Sequence, residues 1–375
     1  MTLKTLVLLL FASMVLSCSR NITSGTGTDD IVIFPSPPDT ARLQFLTRIS
    51  SSQDVTGNRN SFTKFLFGEN SNLPINKPYG IAVHKGKIVI CDTFTHGLVI
   101  IDMTSNTFTP FIPTGKGELK MPVNCFIDDT GYLYVADSDR KQIVVFDENH
   151  KYVTSFGEKD NFKPVDVFVK GDKIWVTNLL GHQVHVYTND SVFELLNTFP
   201  KVNKDNPKSL FSPTSIFITD NQVYVTDFGD FKIKVYSLEG EFIRSVGSYG
   251  QGIGQFSRPK GIAVDRDSNL YVVDAGFENT QIFSSEGKLL MFFGGSYKGP
   301  GDMWLPAKVT LDYDNLKYFE KFVDPSFNLK YLVFVSNQFG PDKISIYGAI
   351  EPAKAGQKVI RPQNNKKRTT LGPMF

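Results

Sequence analysis

The chain has 375 residues, of which 41% are apolar and 21% charged, with a formal net charge of +2 at pH 7. This length allows two or three ordinary domains or one large all-β domain, and the near-neutral balance excludes a global field that would gather nucleic acid or an anionic membrane. Phe is abundant at 32 against 2 Trp, a bias towards pleated, half-buried surfaces.

Residues 1–17 read as a signal peptide. Lys4 supplies a positive start, and the apolar run from Leu6 to Leu16 is too short to span a bilayer. Val15-Leu16-Ser17-Cys18 resembles the lipobox of bacterial lipoproteins. The resemblance implies lipid attachment at Cys18 and a membrane-anchored protein of the bacterial cell envelope. Acyl chains contribute about 0.8 kcal/mol per buried methylene, so two or three would hold the chain to a membrane. Ser19 in place of Asp points, by resemblance to lipoprotein sorting, to the outer membrane, on its periplasmic or cell-surface side. An ordinary secretory signal with an incidental Cys is the alternative. Residues 18–41 are rich in Ser, Thr, Gly, Pro and Asp without periodicity and read as a flexible tether.

A repeat occupies residues 42–347. Each copy starts at a proline (78, 122, 164, 213, 259, 306), and these are 44, 42, 49, 46 and 47 residues apart. Each proline opens a strand such as Pro78-Tyr-Gly-Ile-Ala-Val83. A second strand follows and ends in Asp or Asn at Asp92, Asp137, Asn178, Asp227, Asp274 and Asn337. Six residues later a third strand begins (seven in the last copy), for example Ile143-Val-Val-Phe146, and a fourth follows, such as Tyr152-Val-Thr-Ser-Phe156. Four short strands per copy, with no helical period between copies, predict an all-β fold: a six-bladed β-propeller of four-stranded blades. The sixth copy lacks a good fourth strand after Tyr347, whereas Arg42–Ile49 is a strand without a partner of its own. That N-terminal strand is expected to close the ring, leaving only protected edges.

The pattern Pro-x-Gly-Ile-Ala-Val, a strand ending in Asp, then Ile-x-Val-Phe, resembles the NHL-repeat family of six-bladed propellers. The Gly250-Gln-Gly-Ile-Gly-Gln-Phe256 link into Pro259 is part of that resemblance. The Arg that the family carries after the second strand is absent: its slot holds Gly97, Gln142, Gln183, Lys232, Asn279 and Lys343. The glycine-rich link is not read as a phosphate loop, because a strand and not a helix follows it.

The blade-end acids recur once per blade and are read as acceptors for turn N–H groups. His84, His96, His150, His182 and His185 do not converge by threes, so no metal site is assigned. No catalytic triad, paired-carboxylate motif or cofactor motif stands out, and no catalytic residue or cofactor is assigned. Cys91 and Cys125 fall in buried slots of neighbouring blades and read as inert thiols, with a disulfide between them left open. The turns between second and third strands carry Phe94, His96, Leu179, Leu180, His182, Phe228, Phe231, Phe277 and Phe339 on one face. Turns are normally polar, so this apolar rim is the expected partner-binding surface, with folding back over the blade as the bland alternative. Two residues after each proline, Gly80, Asn124, Asp166, Ser215, Gly261 and Lys308 are expected at the mouth of a central channel. An insertion from Asp312 to Lys330 has helical spacing at Leu316, Phe319, Glu320 and Val323, which predicts a short amphipathic helix capping the opposite face. Residues 348–375 carry six Lys or Arg (354, 358, 361, 366, 367, 368) and read as a basic disordered tail.

These features favour a non-catalytic interaction scaffold that docks a protein partner of the cell envelope on the rim, with no nucleic-acid ligand. Similar exported propellers occur in bacteria rich in multihaem cytochromes, so a cytochrome assembly is the partner implied by analogy. The alternative is a hydrolase or lyase with a metal-dependent site in the channel.

Overall fold

The computed structural model describes residues 31–57, 72–157, 160–202 and 206–353. The signal peptide, Cys18, most of the tether and the tail from residue 354 lie outside the described residues.

Six antiparallel sheets form the blades of a propeller. The first holds β3 (Pro78–His84), β4 (Lys87–Asp92), β5 (Gly97–Asp102) and β6 (Thr107–Phe111). The second holds β7 (Pro122–Ile127), β8 (Leu133–Asp137), β9 (Gln142–Phe146) and β10 (Tyr152–Phe156). The third has β11 (Pro164–Lys170), β12 (Lys173–Asn178), β13 (Gln183–Thr188) and β14 (Leu195–Phe199). The fourth has β15 (Pro213–Ile218), β16 (Gln222–Asp227), β17 (Lys232–Ser237) and β18 (Phe242–Val246), and the fifth β19 (Pro259–Val264), β20 (Leu270–Asp274), β21 (Asn279–Phe283) and β22 (Leu289–Gly294). The sixth blade is built from β23 (Pro306–Asp312), β24 (Phe327–Asn337) and β25 (Ile344–Pro352), and is completed from the N-terminal side by β2 (Leu43–Ile49) and then β1 (Ile33–Phe34).

The ring therefore closes as expected. β2 pairs with β25 from Leu43 opposite Ala349 to Ile49 opposite Ile344. The two boundaries extend further than the sequence pattern indicates. Ile33 and Phe34 pair with Gln44 and Leu43, and β25 runs on to Pro352, where it still pairs with Phe327. The long β24 supplies that extra partner, a feature of the sixth blade alone.

Burial explains the composition of the strands. Ile88 to Asp92 and Leu133 to Asp137 are buried at every position, because neighbouring blades cover both faces of each sheet. Such strands read as continuous apolar runs, whereas outer strands such as Phe242–Val246 alternate. The core is correspondingly divided into six apolar clusters, one in each gap between adjacent blades.

The insertion in the sixth blade corrects the sequence reading. It forms two single 3-10 turns, Leu316–Tyr318 and Glu320–Phe322, rather than an amphipathic helix. Asp312 accepts from the N–H groups of Asp314 and Asn315, which fixes a turn where a helix would have to start, and Pro325 follows soon after. Phe319 and Val323 are nonetheless buried in the cluster between the sixth and first blades. The insertion is tied to the turn of the first blade by the Gly86 N–H, which donates to Asn315 Oδ1 at 2.7 Å.

Candidate functional site

One face of the ring is formed by the turns between second and third strands together with the links that carry the chain to the next blade. The blade-end acids organise it. Asp274 accepts backbone N–H bonds from Ser257 and Arg258 in the incoming link and from Gly276 and Phe277 in its own turn, at 2.7 to 3.2 Å. Asp92 does the same for Asn76, Lys77 and Phe94, and Asp137 for Lys120, Met121 and Arg140. Asp92, Asp137 and Asp274 are each fully buried and bind link to turn, which fixes these parts of the face.

The expected rim residues divide into two groups. Phe94 (69% exposed), Leu180 and Phe339 stand out from the face. Leu179, Phe228, Phe231 and Phe277 are half-buried. Phe231 has a left-handed backbone (φ 53°) and lies against Tyr249, with ring centroids 4.7 Å apart. His96 and His182 occupy the same left-handed turn position, and each ring Nδ1 bonds a carbonyl of the link into the following blade, Lys120 O and Phe211 O respectively. Both histidines thus tie their turns to the next blade, while His96 remains exposed on the face and His182 is half-buried. The links add apolar groups that the turn pattern did not point to: Ile112, Val202, Phe211, Tyr249, Ile253 (89% exposed) and Trp304. Of the other exposed large apolar side chains among the described residues, all but Ile31 and Val192 sit on outer strands.

The axis departs from expectation. Asn124, Asp166, Ser215 and Lys308 are buried and close the channel rather than line an open mouth. The Lys308 ammonium, from the sixth blade, bonds Asp166 Oδ2 in the third blade, diametrically across the ring. Lys308 Nζ also donates to Ser215 Oγ (3.1 Å), and Ser215 Oγ and the Ile216 N–H donate to the same carboxylate oxygen at 2.7 and 3.0 Å. The inner strands approach so closely that a Cβ on Gly80 would lie 2.5 Å from Asn124 Cα, and one on Gly261 2.5 Å from Lys308 Cα. All six inner strands carry a register shift just after the proline, a bulge that turns the following residues towards the axis.

Above this plug lies a feature that sequence reasoning missed. Of the residues flanking the six prolines on either side, Lys77, Lys163, Arg258 and Lys260 are basic and none is acidic. Lys260 is half-buried, with Nζ 5.1 Å from the centroid of the Tyr79 ring. Burial, then repulsion by Arg258 and Lys77, lowers its pKa to about 8. Burial and the Asp166 carboxylate push the Tyr79 hydroxyl up to about 12. The signal was present in the sequence as the charge of the residues beside each proline, but only the closed ring brings them together.

A second unforeseen group is Lys234, fully buried in the fourth blade. Its ammonium pairs with Asp227 at 3.0 Å and Asp230 at 2.8 Å. Burial opposes ionisation of Asp230, but Lys234 and Lys232 outweigh it and hold the carboxyl below its usual range. On the opposite face His84 and His150 line a cleft of about 180 Å³ between the first and second blades, and burial lowers the pKa of both. Among the described residues no cluster of three His, Cys, Asp or Glu is placed to hold a metal. Cys91 and Cys125 are free, buried thiols, and burial pushes Cys91 well above its usual pKa.

Residues 190–351 match a sequence family, DUF5128, described as a 6-bladed beta-propeller. No curated protein matches the sequence. Among solved structures, a gluconolactonase from Xanthomonas campestris is 14% identical, with a TM-score of 0.54 over 87% of this chain and 96% of that one. A protein of unknown function from Bacteroides thetaiotaomicron is 13% identical, with a TM-score of 0.55 over 83% and 76%. A streptogramin B lyase is 16% identical, with a TM-score of 0.51 over 74% and 85%. At these identities the likeness is one of fold.

Proposed function

We propose that this chain is a non-catalytic, membrane-anchored interaction scaffold of the cell envelope, and that it docks a protein partner on the face of turns and links. The observation that carries the reading is the gathering of exposed Phe94, Leu180, Tyr249, Ile253, Trp304 and Phe339 on one face. Exposed apolar groups concentrated in turns cost solubility unless something covers them. The blade-end acids hold the loops beneath them in fixed positions, which lowers the ordering cost of association. Anchoring rests on the lipobox-like segment ending at Cys18.

The channel-enzyme reading draws on the lyase and gluconolactonase folds, but its central carboxylate is already engaged here. Asp166 is buried and neutralised by Lys308, and Ser215 donates to it, so neither is free to bind a substrate or activate water.

A photo-crosslinking amino acid at position 94, 180 or 339 in the full chain, expressed in its native cell, tests the docking reading. One discrete adduct, shared by these positions and absent from positions 290 and 292 on an outer strand, is expected. Equal adducts from both regions, or none from the rim, reject the reading.

A further inference from the structure

We propose that the axial mouth on the docking face receives side-chain carboxylates from an acidic segment of the docked protein, with Lys77, Arg258 and Lys260 as the cations that bind them. This rests on the docking reading above and specifies the chemistry of the partner.

Lys77 and Tyr79 flank Pro78 in the first blade, whereas Arg258 and Lys260 flank Pro259 in the fifth. Between them stands the sixth blade, which presents small Ala307 at the position equivalent to Tyr79 and Lys260. The lysine therefore reaches across to the Tyr79 ring. The floor beneath carries no net charge, because Lys308 and Asp166 cancel. None of the side chains of Lys77, Lys163, Arg258 and Lys260 forms an ion pair or hydrogen bond with another described residue; Lys77 has only a cation–π contact with Phe339 at 5.6 Å. Proteins rarely leave several cations this close without a counter-charge, because their mutual repulsion is unfavourable and is relieved by an anion. The nearest blade-end acids, Asp92 and Asp274, are sunk below the surface and occupied by backbone N–H groups.

Phe339, one of the exposed rim residues, lies under Lys77. The apolar rim and the cationic mouth are therefore one continuous surface. A partner that covers the rim brings its own central residues to the axis. There a buried Lys or Arg would be repelled and an Asp or Glu accommodated. The favoured partner thus presents apolar groups around an acidic centre.

The test uses fluorescein-labelled hexaglutamate and hexaglutamine peptides against the mature chain at low salt. Saturable binding of hexaglutamate alone is expected. It should weaken about tenfold or more in the Lys77→Gln/Arg258→Gln/Lys260→Gln variant and measurably in Arg258→Gln, whose exposed side chain can change without disturbing the fold. The Phe94→Ser/Leu180→Ser variant, which leaves Phe339 under Lys77 untouched, should bind the peptide as the parent does, so failure of the rim and failure of the mouth are read separately. Absent binding, equal binding of hexaglutamine, or binding unchanged in the charge variants would overturn the proposal. Displacement by inorganic phosphate at the peptide's own concentration would also overturn it, in favour of a free-anion site.

Discussion

Lys308 is stable as a buried cation only because Asp166 lies beside it. Removing one partner of such a pair leaves the other charged and unpaired, which costs about 3–5 kcal/mol. Lys308→Met is therefore expected to lower the urea midpoint sharply with little change in slope. Asp166→Asn combined with Lys308→Met should recover part of the loss, because no unpaired charge remains. Recovery absent in the double variant would mean that the two groups do not act as a pair. Lys260 makes the mouth sensitive to pH. It faces Arg258 from its own link and Lys77 and Tyr79 from the first blade, and its pKa is lowered to about 8. Below that value the ammonium is present and an anionic ligand binds to it. As pH rises through 8 that charge is lost. Hexaglutamate affinity should accordingly be level between about pH 6 and 7, where the peptide is fully ionised, and fall between pH 7 and about 9. Lys260→Gln should abolish that slope. Neither the Lys308 pair nor the Lys260 cluster was legible residue by residue, since partners such as Asp166 and Lys308 are 142 positions apart.

Strand β2 is the element on which ring closure depends. Leu43, Leu46 and Ile49 are buried there, and each contributes about 1.5–3 kcal/mol by leaving water. Deleting residues 31–49 would also expose the unpaired edge of β25. A fall in the thermal midpoint on the order of 10 °C or more is expected, with loss of a single cooperative transition. A melt indistinguishable from that of the parent would mean that β2 does not close the ring. Within a blade the acids matter more than any one turn. Asp274→Ala removes the acceptor for four backbone N–H groups and should cost about 3 kcal/mol, read from chemical denaturation. The blade repeat, its turn acids and the closing strand were all legible, because each depends on local alternation and spacing. The insertion misled for the opposite reason: helical spacing of Phe319 and Val323 reflects where the core lies, while Asp312 and Pro325 determine the backbone.

The whole molecule presents one face with an apolar rim around a cationic centre. Binding to a partner with an acidic centre should weaken as salt rises, because exposed charges are screened within about 10 Å at 0.1 M ionic strength. Binding held by the rim alone would be indifferent to salt or strengthen with it. Measuring the affinity of the crosslinked partner at two salt concentrations therefore separates the contribution of the mouth from that of Phe94, Leu180 and Phe339. The rim itself was half visible beforehand. Turn position identifies which residues lie on the face, but a left-handed residue such as Phe231 folds back against Tyr249, while Ile253 and Trp304 in the links stand out.

The number of blades, the order of strands and the source of the closing strand follow from the sequence alone, because each blade repeats a pattern of alternation, turn residue and proline within some 45 positions. Which side chains meet at the axis, and which turn residues remain in solvent, was decided only when six sheets closed into a ring. Closure brings the bulged starts of neighbouring inner strands within a few ångströms of each other and lets Lys308 reach Asp166 across the axis, so residues remote in the chain become a plug and, above it, a cluster of cations without a counter-charge among the described residues.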